Sequence, residues 1–242
     1  MFYYLLAPLL SYHFILIAAA IIPAVFLLIK VYRSDSMEPE SPQLLWQLFK
    51  VGVFSSLAAL ILERIGSFLL DLACEEGTTL YNVILYFIVV AVSEECSKYF
   101  FLRRSTWNNP EFNCQYDGVV YAVFVSLGFA VWENISYVLT YGFGTAIVRA
   151  ITAIPGHACF GIFMGVFYGL SKREANWQQN STSLFFRICA IVVPVLLHGA
   201  YDYIASLEAM SGDWYFFGFI AVLFIAAFII VSRFSKRDRY IS

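Results

Sequence analysis

Seven runs of apolar residues, each close to the ~20 residues a helix needs to cross ~30 Å of hydrocarbon, dominate this chain. They lie near Pro8–Ile29, Leu44–Leu62, Leu80–Leu102, Val119–Tyr141, Ala146–Leu170, Arg187–Leu207 and Trp214–Ser232. The runs are continuously apolar rather than alternating, which points to helices and away from barrel strands. With 61% hydrophobic and only 13% charged residues, 242 residues could not hide this surface in a water-soluble domain. The expected class is therefore all-α, a polytopic membrane helix bundle of about seven transmembrane helices.

Basic residues orient the bundle. Lys30, Arg33 and Lys50 flank the first connection, Arg103 and Arg104 open the third, and Lys172, Arg173 and Arg187 mark the fifth. The tail adds Arg233, Lys236, Arg237 and Arg239, whereas the other connections hold Asp71, Glu75, Glu76, Glu208 and Asp213. The positive-inside rule then predicts an N-terminus outside and a C-terminus in the cytoplasm, with Arg64 and Arg149 as minor exceptions at helix ends. The second run is the shortest and ends at Glu63 and Arg64. The first run lacks a basic leader and reads as a retained helix. A net charge of −2 argues against nucleic acid as a partner; the partner implied by composition is the lipid bilayer. No connection is long enough for a second domain, so residues 1–242 read as one transmembrane domain, and any chemistry belongs inside the bundle. Among five cysteines only Cys74 falls in an outer connection and no CxxC pair occurs, so an exported internal disulfide is not expected.

Charged residues inside such helices are expensive and mark function. Glu94 and Glu95 are adjacent in the third run, with Lys98 four residues after Glu94 and on its face. Glu95 points about 100° away from Glu94, so Lys98 is expected to offset Glu94 rather than both. Two carboxylates this close in low dielectric should differ in proton affinity, the condition for an acid and a base at one pH. Glu133 lies in the fourth run within Phe129-Ala-Val-Trp-Glu; Phe129 and Trp132 read as core or lipid-facing aromatics. Asn134-Ile135-Ser136 matches a glycosylation sequon by chance if it lies in the membrane. His157 follows Pro155-Gly156, which should loosen the fifth helix just before it. It shares a stripe with Gly161, Gly165 and Gly169, a ridge on which another helix can pack closely. His198 and Asp202 are four apart in the sixth run, a spacing that lets the carboxylate hold the imidazole. At ~1.5 Å per residue all of these positions fall in the middle third of the bilayer, as one polar cavity would require.

These residues match a family pattern. Glu94-Glu95-Cys-Ser-Lys98 resembles the EExxK motif of the PrsW family, Phe129–Glu133 its FxxxE motif, His157 its isolated histidine, and His198–Asp202 its HxxxD motif. The order is the family's, and the resemblance covers roughly Leu80 to Leu207, a catalytic core of about residues 80–207. It implies an intramembrane endopeptidase related to CAAX-prenyl endoproteases and bacteriocin-processing proteins, in a bacterial cytoplasmic (inner) membrane, acting on single-span substrates such as anti-sigma factors. Carried over residue by residue, Glu94 is the catalytic glutamate, with Glu95, Glu133, His157, His198 and Asp202 completing the site and Lys98 supporting it.

The chemistry leaves alternatives. The favoured one is hydrolysis by glutamate-activated water with no cofactor; Ser97 and Cys96 lie on other faces from Glu94. A zinc peptidase drawing ligands from His157, His198, Asp202 and Glu133 is the second, although HExxH is absent. A proton-coupled transporter uses the same residue types, but no inverted repeat is visible. A helix-binding scaffold acting through the glycine ridge is the fourth. Substrate identity and oligomeric state are not legible.

Overall fold

The computed structural model describes residues 2–35, 37–211 and 214–241, with side chains described for residues 13–35, 37–207 and 214–241. Asp213, one of the acidic marks of the last outer connection, lies outside them. The described backbone is 86% helical. Its helices are α1 (Phe2–Arg33), α2 (Pro42–Ala73), α3 (Thr79–Val83), α4 (Ala91–Thr106), α5 (Asp117–Tyr141), α6 (Phe143–Ile151), α7 (Ala153–Asn176), α8 (Asn180–Ser211) and α9 (Trp214–Lys236). A π-helical segment, Ile84–Val90, joins α3 to α4 without a break. Seven spans long and apolar enough to cross a membrane result, because α3, the π segment and α4 form one and α6 with α7 form another.

Two spans form the centre. Within its 18-residue apolar stretch the α5 span has 83% of its residues buried and the α6–α7 span 72%, whereas no other exceeds 39%. The outer helices turn large apolar side chains such as Phe26, Phe54, Phe68 and Phe228 away from the bundle. That is the arrangement expected where lipid, not water, wets the surface.

Close backbone contact holds the centre together. A Cβ on Gly165 would lie 2.4 Å from Gly118 O and from Val119 Cα, and one on Gly169 would lie 2.2 Å from Gln115 O. The ridge of the fifth span thus packs directly on α5. On the other side of α5, a Cβ at Gly128 would meet Phe49 O at 2.1 Å, and one at Gly52 would meet Val125 O at 2.1 Å. Without water to expel, helices in lipid gain most from such van der Waals proximity.

Three local features depart from the sequence reading. The second helix does not stop at Glu63 and Arg64 but continues to Ala73; at 32 residues it is ~48 Å long, and both charged residues face a polar cavity instead of marking its end. The fifth span breaks at Thr152 (φ −117°, ψ −66°) rather than beside His157. Pro155 explains this: it has no N–H to offer the carbonyl four residues back, and its ring would clash there, so it fits only in the first turn of a new helix. The π segment directly precedes the glutamate pair, and its Phe87 packs on Gly199, where a Cβ would lie 2.5 Å from Phe87 Cδ1. Such wide turns recur at functional sites because they re-aim the side chains that follow.

At the end of the bundle where α5 begins, polar loops meet. Asp117 Oδ2 accepts from the Asn113 and Cys114 amides at 2.9 and 2.7 Å, Glu111 accepts from Ser41 N and Oγ at 2.9 and 3.0 Å, and Ser235 Oγ donates to Ser34 O. Glu40 is buried there and accepts from Tyr121 Oη at 2.8 Å. Burial, and then the neighbouring Asp117, push its carboxyl up to about 9. All five cysteines are free thiols.

Gly165→Val should lower the thermal midpoint of the purified protein, since the added atoms meet backbone rather than a movable side chain. The expected loss is about 1–3 kcal/mol. Gly144→Ala, where nothing lies within 4 Å of a new Cβ, should leave the midpoint unchanged or slightly raised.

Candidate functional site

An ammonium group deep in the bundle organises the site. Lys98 is fully buried, and its Nζ lies 3.0 Å from Glu94 Oε2, 2.7 Å from Glu95 Oε1 and 3.1 Å from His157 Nδ1. Three acceptors thus meet the three protons of one ammonium. The expectation that Lys98 could serve only Glu94 is corrected: residues three and four apart lie on adjoining faces of α4, and the long lysine stem reaches both. The Phe129 ring covers the same ammonium, 4.0 Å from its centroid, as a cation–π partner.

From this centre two chains of contacts spread across helices. Because an ammonium only donates, His157 Nδ1 accepts, and its Nε2–H donates to Glu133 Oε2 at 2.8 Å. Glu133 Oε1 then pairs with Arg149 at 2.9 Å. On the other side, His198 Nδ1 lies 2.8 Å from Glu95 Oε1 and 3.8 Å from Glu94 Oε2, while its Nε2 is 3.2 Å from Asp202 Oδ2. Both nitrogens of His198 face acceptors, an arrangement that a ring carrying two protons satisfies. Phe160 stacks on His198 with centroids 4.8 Å apart, and the two imidazoles meet edge to face at 5.4 Å.

The structure therefore brings Glu94, Glu95, Lys98, Glu133, His157, His198 and Asp202 together from four spans. It also separates the two adjacent glutamates. Glu94 lines a cavity of about 580 Å³ together with Glu133, His157, His198 and Asp202; Glu95, with no exposed surface, stays behind it. Ser56, Ser67, Ser136 and Thr140 extend a polar lining along α2 and α5. Phe129 and Trp132 line the same cavity, so the reading of them as purely core or lipid-facing aromatics is revised.

Arg149 is the residue that sequence reasoning missed. It lies on α6, beyond the break at Thr152, where it reads as a stray charge at a helix end. In the structure it pairs with Glu133, donates from Nε to Asn134 Oδ1 at 2.5 Å and stacks 3.9 Å from the Tyr137 centroid. Asn134 is 1% exposed, which leaves no room for a glycan at the sequon. Glu63 and Arg64, read as a boundary, and Tyr201, not singled out, also line the cavity. A buried charge without a partner is the signal that could have found Arg149, since Glu133 needs a cation that Lys98 cannot also supply.

A family model described as PrsW family intramembrane metalloprotease matches residues 40–231, most of the chain. The chain belongs to the PrsW protease family. It is 31% identical to Protease PrsW of Geobacillus kaustophilus over 215 residues, 88% of this chain and 89% of that protein. It is 33% identical to Protease PrsW of Oceanobacillus iheyensis over 191 residues, covering 78% and 82% of the two chains. Protease PrsW of Bacillus subtilis is 31% identical over 204 residues, covering 84% and 87%. No solved structure matches the chain. The match extends outward from the motif region to include α2, and so Glu63 and Arg64.

The donor set of this PrsW-family chain can be tested against a metal. Ligand atoms of Glu94, Glu95 and His157 lie within 4.8 Å of one another, a spacing that a cation could bridge. The cation between them, however, is Lys98 Nζ, in hydrogen-bond contact with all three. Each nitrogen of His157 and of His198 faces a lysine or a carboxylate, so neither imidazole turns a free lone pair to a shared point with Asp202 and Glu133. As arranged, these residues do not fit a zinc ion.

Arg149→Met should uncouple Glu133 and destabilise the protein. A double-mutant cycle with Glu133→Gln, read by thermal unfolding in detergent, is expected to return a coupling of about 1–3 kcal/mol, since both groups are mostly buried. Additive effects of the two changes would break the assignment of Arg149 to Glu133.

Proposed function

We propose that this PrsW-family chain hydrolyses peptide bonds of membrane-anchored substrates with a water molecule activated by Glu94. The observation that carries the reading is the division between the two glutamates: Glu94 meets the cavity, while Glu95 is held by Lys98 and His198. Only a carboxylate in contact with water can act on it as a base.

In this mechanism Glu94 takes a proton from a cavity water, and the water oxygen bonds to the scissile carbonyl carbon. Negative charge moves to the carbonyl oxygen, to which His198 would donate from Nε2–H by exchanging its 3.2 Å contact with Asp202, while Glu95 keeps Nδ1. Collapse breaks the C–N bond, and the proton on Glu94 passes to the leaving amine. His157 and Glu133 orient the water or the peptide, Arg149 anchors Glu133, and Lys98 keeps two carboxylates from leaving one another uncompensated. No covalent intermediate is required.

The substrate class is a single-span membrane protein, such as an anti-sigma factor, unwound enough to enter beside α2 and α5. The setting is the cytoplasmic membrane of a bacterium, with the N-terminus outside. The metal-dependent alternative draws support from the printed description of the family and from the 4.8 Å grouping of Glu94, Glu95 and His157. The position of Lys98 favours the glutamate reading.

Purified protein in detergent or vesicles, incubated with single-span helices carrying helix-breaking residues, should cleave them, and Glu94→Gln should lower the rate by about 10³-fold without changing the unfolding midpoint. Cleavage should survive a zinc chelator, and metal analysis should find no stoichiometric zinc. Full activity in Glu94→Gln removes this mechanism; chelator-sensitive cleavage with one zinc per chain replaces it with the metal-dependent one.

A further inference from the structure

A second group of carboxylates lies far from the cavity, where α5 begins. Asp117 stands sixteen residues before Glu133 on that helix, ~24 Å away at ~1.5 Å per residue. Asp35 and Glu40, from the connection between α1 and α2, converge on Asp117, and their oxygens lie within 4.8 Å of one another. Asp238, from the C-terminal tail, falls within the same distance of Asp117 and Cys114.

No lysine or arginine among the described residues pairs with this group; their ion pairs involve Glu94, Glu95, Glu133 and Glu174. Asp35 Oδ2 and Asp238 Oδ2 are buried with no hydrogen-bond partner. An independent observation points the same way. Tyr116 is fully buried, and its hydroxyl, which makes no well-formed hydrogen bond, sits beside Asp35 and Asp238 with Ser34 alongside. Buried polar atoms are normally satisfied, and a cation with its water would satisfy these three oxygens, which gather in one acidic pocket.

We propose that Asp35, Glu40 and Asp117, with Asp238 beside them, form a binding site for a hard divalent cation of the magnesium or calcium type. The all-oxygen donor set selects this class, since such cations prefer carboxylates to sulfur. The ion would join three segments distant in sequence: the α1–α2 connection, the start of α5 and the tail, whose amide and carbonyl groups already pair at Gln115 with Arg239 and at Asn113 with Ile241. Its role is to lock this end of the helix that carries Glu133, and it stands apart from the proposed proteolysis.

The full-length protein, stripped with chelator, is titrated with magnesium, calcium or zinc chloride at constant ionic strength, by calorimetry and thermal unfolding. One magnesium or calcium ion should bind per chain, raising the midpoint by roughly 5 °C at a large excess over Kd. Asp35→Asn and Asp238→Asn, each preserving shape, should weaken binding at least tenfold while Glu94→Gln binds like wild type. The proposal is overturned if wild type binds neither ion. Equal binding in the aspartate variants also overturns it, as does zinc binding alone that is lost in Cys114→Ser. So does stabilisation by acid alone with no response to metal, which would show that protons balance the cluster.

Discussion

One lysine ammonium holds the polar centre of this molecule together. Two carboxylates side by side in a hydrocarbon-embedded helix would repel each other and lack water to spread their charge. Lys98 answers both at once and, with its third proton, reaches His157 on another span. It has no exposed surface, so solvent cannot take over if it is removed. The ion pairs and imidazole contacts that radiate from it, to Glu133 and Arg149 on one side and to His198 and Asp202 on the other, assemble the cavity wall.

That electrostatic centre depends on how closely the backbones approach. Gly165 and Gly169 let the seventh helix settle on α5, and Gly52 and Gly128 let α2 do the same from the opposite side. Side chains at these crossings would push the spans apart by more than a hydrogen bond tolerates, and His157 would lose either Lys98 or Glu133. The break at Thr152 and the π segment before Glu94 serve the same end, since each redirects a side chain that a uniform helix would aim elsewhere.

Membership of the PrsW protease family, over most of the chain, matches the ordered motifs visible from Glu94 to Asp202. The helical class and the seven spans were also legible, because apolar length is nearly sufficient to define a membrane helix. Legibility failed where a charge had two readings. Glu63, Arg64 and Arg149 resembled helix ends, since a charged residue beside an apolar run usually sits at the membrane surface. Each instead faces a polar cavity that lets the helix carry it further in.

What the residues alone determined is the number of apolar spans and the set of acids and imidazoles too costly to bury without purpose, for both follow from local chemistry. Only the tertiary structure decided which glutamate of the pair meets the cavity and that Lys98 serves two carboxylates. It alone joined Arg149 to Glu133 and gathered Asp35, Glu40, Asp117 and Asp238 at one end. These are pairings between residues far apart in the chain, and a partner across a helix crossing leaves no trace in spacing along one helix.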